Sequence, residues 1–141
     1  MMRNRMMNRV NRMGLAVLCG MVAGLAGAAT VVGANDGNWD TAATWNTGVP
    51  TAIDKININQ GVTVTVNNTQ VTYTLAIGDS VATDGGTLVV DGGNLSFTDT
   101  GWCGIGYNTG GHLEITGNGA VSFAARVDLG VENKHTTLTT Q

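Results

Sequence analysis

Short apolar–x–apolar segments recur along the chain, separated by glycine pairs and polar turns. Val62, Val64 and Val66 alternate with Thr63 and Thr65. Val71, Tyr73, Leu75 and Ile77 alternate with Thr72, Thr74 and Ala76. Further on, Leu88 and Val90, Leu95 and Phe97, Leu113 and Ile115, Val121 and Phe123, and Val127 and Leu129 each flank one other residue. Apolar positions two apart mark strands with one buried face, because successive strand side chains point to opposite sides. The glycines between them supply the positive-φ positions that tight turns require.

The segments also repeat as a set. Residues 77–99 and 105–125 both read Ile-Gly, a polar loop, Gly-Gly, an apolar strand, a glycine turn and apolar-Ser-Phe. Ile77 matches Ile105, Leu88 matches Leu113, and Phe97 matches Phe123. A third copy starts at Val127-Asp128-Leu129-Gly130 and reaches Leu138. A period of about 25 residues with three short strands predicts a coil of three faces. Stacking such coils about 4.8 Å apart builds a parallel β-solenoid. The expected fold is therefore all-β, a short right-handed parallel β-helix, with Leu88 near Leu113 and Leu138 and Phe97 near Phe123. An antiparallel sandwich explains the alternation, but not the return of the same side-chain types in each period.

Residues 1–28 read differently. Four arginines precede an apolar stretch from Leu15 to Leu25, and small residues follow at Ala26-Gly27-Ala28-Ala29. This is the pattern of a secretory signal peptide cut after Ala28 or Ala29. Together with the small residues the stretch over 15–29 holds 15 residues, too few to span a bilayer as a helix. Cys19 lies within it but lacks the small neighbour of a lipidated cysteine. The expected organisation is a leader at 1–28, an N-terminal cap at 29–52 and solenoid repeats at 53–141. The expected location is secreted or at the cell surface.

Asn38-Trp39-Asp40-Thr41-Ala42-Ala43-Thr44-Trp45, Gly48-Val49-Pro50, Asp54 and the Ile/Val/Thr strand after them resemble the opening of secreted bacterial β-solenoid proteins. That group includes autotransporter-passenger-like surface proteins and exported proteins of the PEP-CTERM type, where such an opening precedes Gly-Gly-x-Leu-x-Val repeats. The resemblance covers about residues 34–140 and implies a structural or adhesive role. The sorting helix or outer-membrane barrel of such proteins has no counterpart in the sequence given. The tail Thr136–Gln141, uncharged and rich in β-formers, leads to the expectation that more solenoid follows or that this end self-associates.

Charge narrows the partners. After the leader, three basic groups face ten acidic ones, a net charge of −7. So few cations cannot neutralise a nucleic-acid backbone, so nucleic acid is excluded as a partner. Cys103 alone remains after cleavage and cannot form an internal disulfide. Trp39 and Trp45 are the candidates for stacking on a sugar ring, and read more simply as a plug over the open apolar end of the first coil. Trp102 reads as wall packing. Asp84 and Asp91, beside glycines, are candidate calcium ligands, although aspartate before glycine is ordinary turn chemistry. Arg126 with Asp128 is the best available enzymatic pair and reads more simply as a surface ion pair. His112 and Glu114 share a strand face and, with His135, form the remaining metal candidate. No catalytic residue is assigned. The expected function is a structural or adhesive segment without catalysis; the alternative is a carbohydrate-binding or polysaccharide-active β-helix. Extracellular polysaccharide and other surface proteins are the expected partners.

Overall fold

A computed structural model of the protein describes residues 28–80, 84–130 and 136–140. The leader with Cys19, and His135 of the metal candidate, lie outside the described residues. In chain order the strands are β1 (Thr30–Val32), β2 (Gly37–Asn38), β3 (Lys55–Ile58), β4 (Thr63–Val66), β5 (Thr69–Thr72), β6 (Thr74–Ile77) and β7 (Thr87–Asp91). They continue as β8 (Asn94–Phe97), β9 (Trp102–Ile105), β10 (Gly111–Thr116), β11 (Ala120–Phe123), β12 (Arg126–Leu129) and β13 (Thr136–Thr140).

The chain visits three sheets in rotation. The first wall is β1-β3-β6-β9-β12, the second is β2-β4-β7-β10-β13, and the third is β5-β8-β11. All pairings between these strands are parallel. The result is a β-solenoid of about four turns. The antiparallel sandwich is thereby excluded for the described residues.

Register explains why side-chain types return. Val64 aligns with Leu88, Leu88 with Leu113, and Leu113 with Leu138. Ile58, Ile77, Ile105 and Leu129 form a second column. Val64, Leu88, Ile58 and Ile77 are fully buried, and Leu113 and Ile105 nearly so. Each such side chain contributes about 1.5–3 kcal/mol by leaving water. A glycine column sits at the corner after the first wall: Gly78, Gly106 and Gly130 follow the ends of β6, β9 and β12 with φ of 71, 73 and 65°. That left-handed conformation disfavours a Cβ, so the corner recurs as Ile/Leu-Gly.

The alternation expected across 71–77 breaks at Tyr73. Thr72 points inward and is fully buried, while Val71 is 41% exposed. The break is a corner between β5 and β6. Thr72 aligns with Phe97 in the third wall, and its hydroxyl donates to the Asp54 carbonyl at 2.8 Å. A buried hydroxyl with that bond is tolerated in the core. Leu75 and Ile77 regain the interior beyond the corner.

The segment at 29–52 joins the solenoid directly. Its strands β1 and β2 pair with β3 and β4, forming two sides of the first coil. On the third side the chain runs irregularly through a 3-10 turn at Ala42–Thr44. Asp54 ties this coil together. Its carboxylate accepts from the Ala29 N–H at 3.1 Å, the Thr51 N–H at 2.8 Å and the Thr51 hydroxyl at 2.7 Å.

Candidate functional site

The interior is filled by side chains, so ligand-accessible chemistry lies on the walls. On the first wall, alternation sends Ile56, Ile58, Leu75, Ile77, Cys103 and Ile105 inward. The intervening positions face out. Lys55 aligns with Thr74, and Trp102 with Arg126. Beside them run Asn57, Ala76, Gly104 and Asp128. Large side chains in one file stand next to small ones in the other, which leaves a notch along the wall. The notch is a cleft of about 270 Å³ lined by Lys55, Asn57, Thr74, Asp79, Asp99 and Trp102, among others.

Trp102 forms its rim. The residue is 37% exposed. Its ring pairs with Tyr107 at 5.0 Å between centroids and 33° between planes. A Cβ at position 104 would overlap ring atom Cζ3, so Gly104 makes the room in which the indole sits. The Thr74 hydroxyl donates to the Trp102 carbonyl at 2.8 Å. The ring is thus placed by a strand and by its neighbours rather than by a free loop.

Two carboxylates come to the cleft from turns. Asp79 follows β6. Its carboxylate accepts from the amides of Asn57 and Asn108, each at 3.4 Å, and its own N–H donates to Asn59 Oδ1 at 2.8 Å. Asn108 also donates to the Asp79 carbonyl at 2.6 Å. Asp99 precedes β9 and accepts from the Gly101 N–H at 2.7 Å. The Tyr73 hydroxyl also bonds to Asp99, whose negative charge pushes the phenol above its ordinary value.

No known family, curated protein or solved structure matches the chain.

The residues singled out from sequence fall elsewhere. Trp39 is 0% exposed and Trp45 is 4% exposed. Their rings meet edge to face at 4.9 Å, and the Trp45 Nε1 donates to the Trp39 carbonyl at 2.6 Å. Rings without open faces cannot stack on a pyranose, so the sugar-stacking assignment for this pair is corrected: both belong to the hydrophobic core. Trp102, expected as wall packing, is the tryptophan that reaches solvent.

Asp84, ahead of β7, and Asp91, the last residue of β7, are both exposed. The Asp84 carbonyl accepts from the Gln60 N–H, and the Asp91 carboxylate accepts from the Thr116 hydroxyl at 3.2 Å. No group of three or more possible metal-ligating side chains occurs among the described residues. Arg126 and Asp128 form an ion pair at 2.7 Å with the arginine largely in solvent. His112 and Glu114 stand 3.6 Å apart on the outer second wall. Cys103 is buried, with its sulfur 3.5 Å from the Thr74 hydroxyl. No helix among the described residues is long and apolar enough to cross a membrane.

Sequence reasoning missed the cleft because Lys55, Asn57, Asp79, Asp99 and Trp102 lie up to 47 positions apart in the chain. One signal was available. Trp102 is out of phase with Cys103 and Ile105, and the next outward residue in its strand is Gly104.

Proposed function

We propose that the chain is a segment of a secreted or cell-surface β-solenoid with a structural or adhesive role and no catalytic chemistry. The observation that supports it most is the division of labour within each strand. Inward positions build continuous apolar columns such as Val64–Leu88–Leu113–Leu138. Outward positions carry Thr, Asn, Asp and a few charges at the spacing of the coils. Such a rod is rigid and presents long polar walls, which suits support and contact with extracellular material.

A second reading, carbohydrate binding, is favoured by the cleft at Trp102. Polysaccharide cleavage would place two carboxylates across a glycosidic bond. Asp79 and Asp99 line the cleft and are held by amide, N–H and hydroxyl donors, which suits fixed acceptors for sugar hydroxyls.

Both readings are tested with beads carrying the purified chain, applied to immobilised plant, algal and bacterial polysaccharides. Retention without release of reducing or unsaturated sugar ends is the expected result. Release of such ends would overturn the non-catalytic assignment, and absence of retention on every surface would overturn the adhesive one. Export is tested separately by sequencing the N-terminus of material recovered outside the cell; Ala29 or Thr30 is expected, and Met1 would contradict it.

A further inference from the structure

We infer that the cleft on the first wall is a subsite for a neutral saccharide, stacked on Trp102 and oriented by Asp79, Asp99, Asn57 and Lys55. The inference rests on the carbohydrate-binding reading and names its site and ligand class.

An aromatic side chain on an otherwise polar wall is the first reason. Trp39 and Trp45 are buried, whereas Trp102 is 37% exposed at the rim of a cleft. A solvent-facing indole loses stability that burial would give it. Here it is also held in place by Gly104 and Tyr107. A pre-positioned, partly exposed indole bordered by polar groups offers apolar surface to a sugar ring, which has an apolar C–H face and a hydroxyl rim.

The polar groups are the second reason. A sugar hydroxyl is both donor and acceptor and needs partners of both kinds. Asp79 and Asp99 supply acceptors, and Asn57 and Lys55 supply donors. Asp79 is fixed by Asn57 and Asn108, and Asp99 by Gly101 and Tyr73. The carboxylates keep further lone pairs for ligand hydroxyls beyond the donors that hold them.

Charge selects among saccharides. The cleft carries two carboxylates against one ammonium, and the chain after the leader has a net charge of −7. Uronates and sulfated sugars would meet repulsion there, whereas neutral hexoses and pentoses would not. The volume of about 270 Å³ lies just below the usual range for small-molecule sites. It suits one or two rings of a longer chain crossing the wall.

The test uses the full-length protein with cello-, xylo-, manno- and laminari-hexaose as neutral probes and trigalacturonate as the anionic one. Tryptophan emission is followed first, because Trp102 is the exposed indole, and calorimetry gives the affinity. At least one neutral hexasaccharide is expected to bind saturably, with little dependence on salt. Trp102→Ala is expected to weaken it about tenfold or more, equivalent to about 1.4 kcal/mol. Trp102→Phe retains an aromatic face and is expected to fall between the two. Circular dichroism confirms that both variants fold.

No binding of any neutral probe, tighter binding of trigalacturonate, or equal affinity in folded Trp102→Ala would each overturn the subsite. Failure here is distinct from failure of the adhesive reading. Beads carrying Trp102→Ala that still adhere to polysaccharide would remove this site while leaving adhesion intact.

Discussion

Phe123 lies over Phe97, with ring centroids 5.0 Å apart and planes only 14° from parallel. The residues are register partners in β11 and β8, so the stack follows from the coil repeat. Their environments differ. Phe97 is 2% exposed, whereas Phe123 is half-buried. Phe97→Ala is expected to cost about 3–5 kcal/mol, the usual penalty for truncating a buried aromatic. Phe123→Ala should cost clearly less, because part of its surface already meets water. Thr63→Ala, on the outer second wall, should change stability by about 0.5 kcal/mol or less. Urea midpoints check the order; equal midpoints for all three variants would contradict the face assignment.

Trp39 and Trp45 give a sharper comparison. The Trp45 Nε1 donates to the Trp39 carbonyl, whereas the buried Trp39 Nε1 has no hydrogen-bond partner. Replacing either by Phe removes a similar volume. Trp45→Phe also strands a carbonyl, which costs about 1–3 kcal/mol more. Thermal or denaturant unfolding should therefore rank Trp39→Phe as the more stable variant; the reverse order would contradict this bonding.

Asp54 sets an expectation for acid. Burial pushes its carboxyl up, but the hydrogen bonds from the Thr51 side chain, the Thr51 N–H and the Ala29 N–H together hold it below its ordinary value of 3.8. A depressed folded value stabilises the fold above the unfolded value and is lost as pH falls through the folded one. Stability should accordingly decline below about pH 4. Asp54→Asn should be less stable at neutral pH and show a flatter acid limb. Unfolding free energies between pH 2 and pH 7 test this, and parallel curves for the two proteins would contradict it. Cleavage after Ala28 would replace the Ala29 amide donor by an ammonium, strengthening the bond. Asp54→Asn should then cost more in the processed chain than in the uncut one.

Much of the fold is readable before any coordinates, for a physical reason. In a parallel solenoid equivalent residues stack, so each core column must repeat its side-chain type, as Leu88, Leu113 and Leu138 do. The corner glycines 78, 106 and 130 repeat because the same backbone conformation recurs. The corner at Tyr73 is hidden because no glycine marks it, and the inward turn of Thr72 depends on a hydrogen bond to distant Asp54. The same non-locality concealed the cleft. Asp79 and Asp99 lie in separate turns and meet Trp102 only after the coils have stacked. The sequence around Trp39 and Trp45 favours a plug over a sugar platform but leaves both open, and the burial of the two rings decides against the platform.

The in-register stacking of successive coils is the claim on which the walls, the columns and the cleft all depend. Ser96 and Ser122, 26 positions apart, touch through their hydroxyls at 2.9 Å on the outer third wall. With Cys19 and Cys103 replaced by alanine, cysteines placed at 96 and 122 should be joined within one chain by a short bifunctional thiol reagent. A control pair at 96 and 114, on different walls, should not be joined. Mass spectrometry of the peptides gives the answer directly. Efficient 96–122 linkage with an unlinked control is the predicted result; an unlinked 96–122 pair in the folded protein would contradict the solenoid and everything placed on its walls.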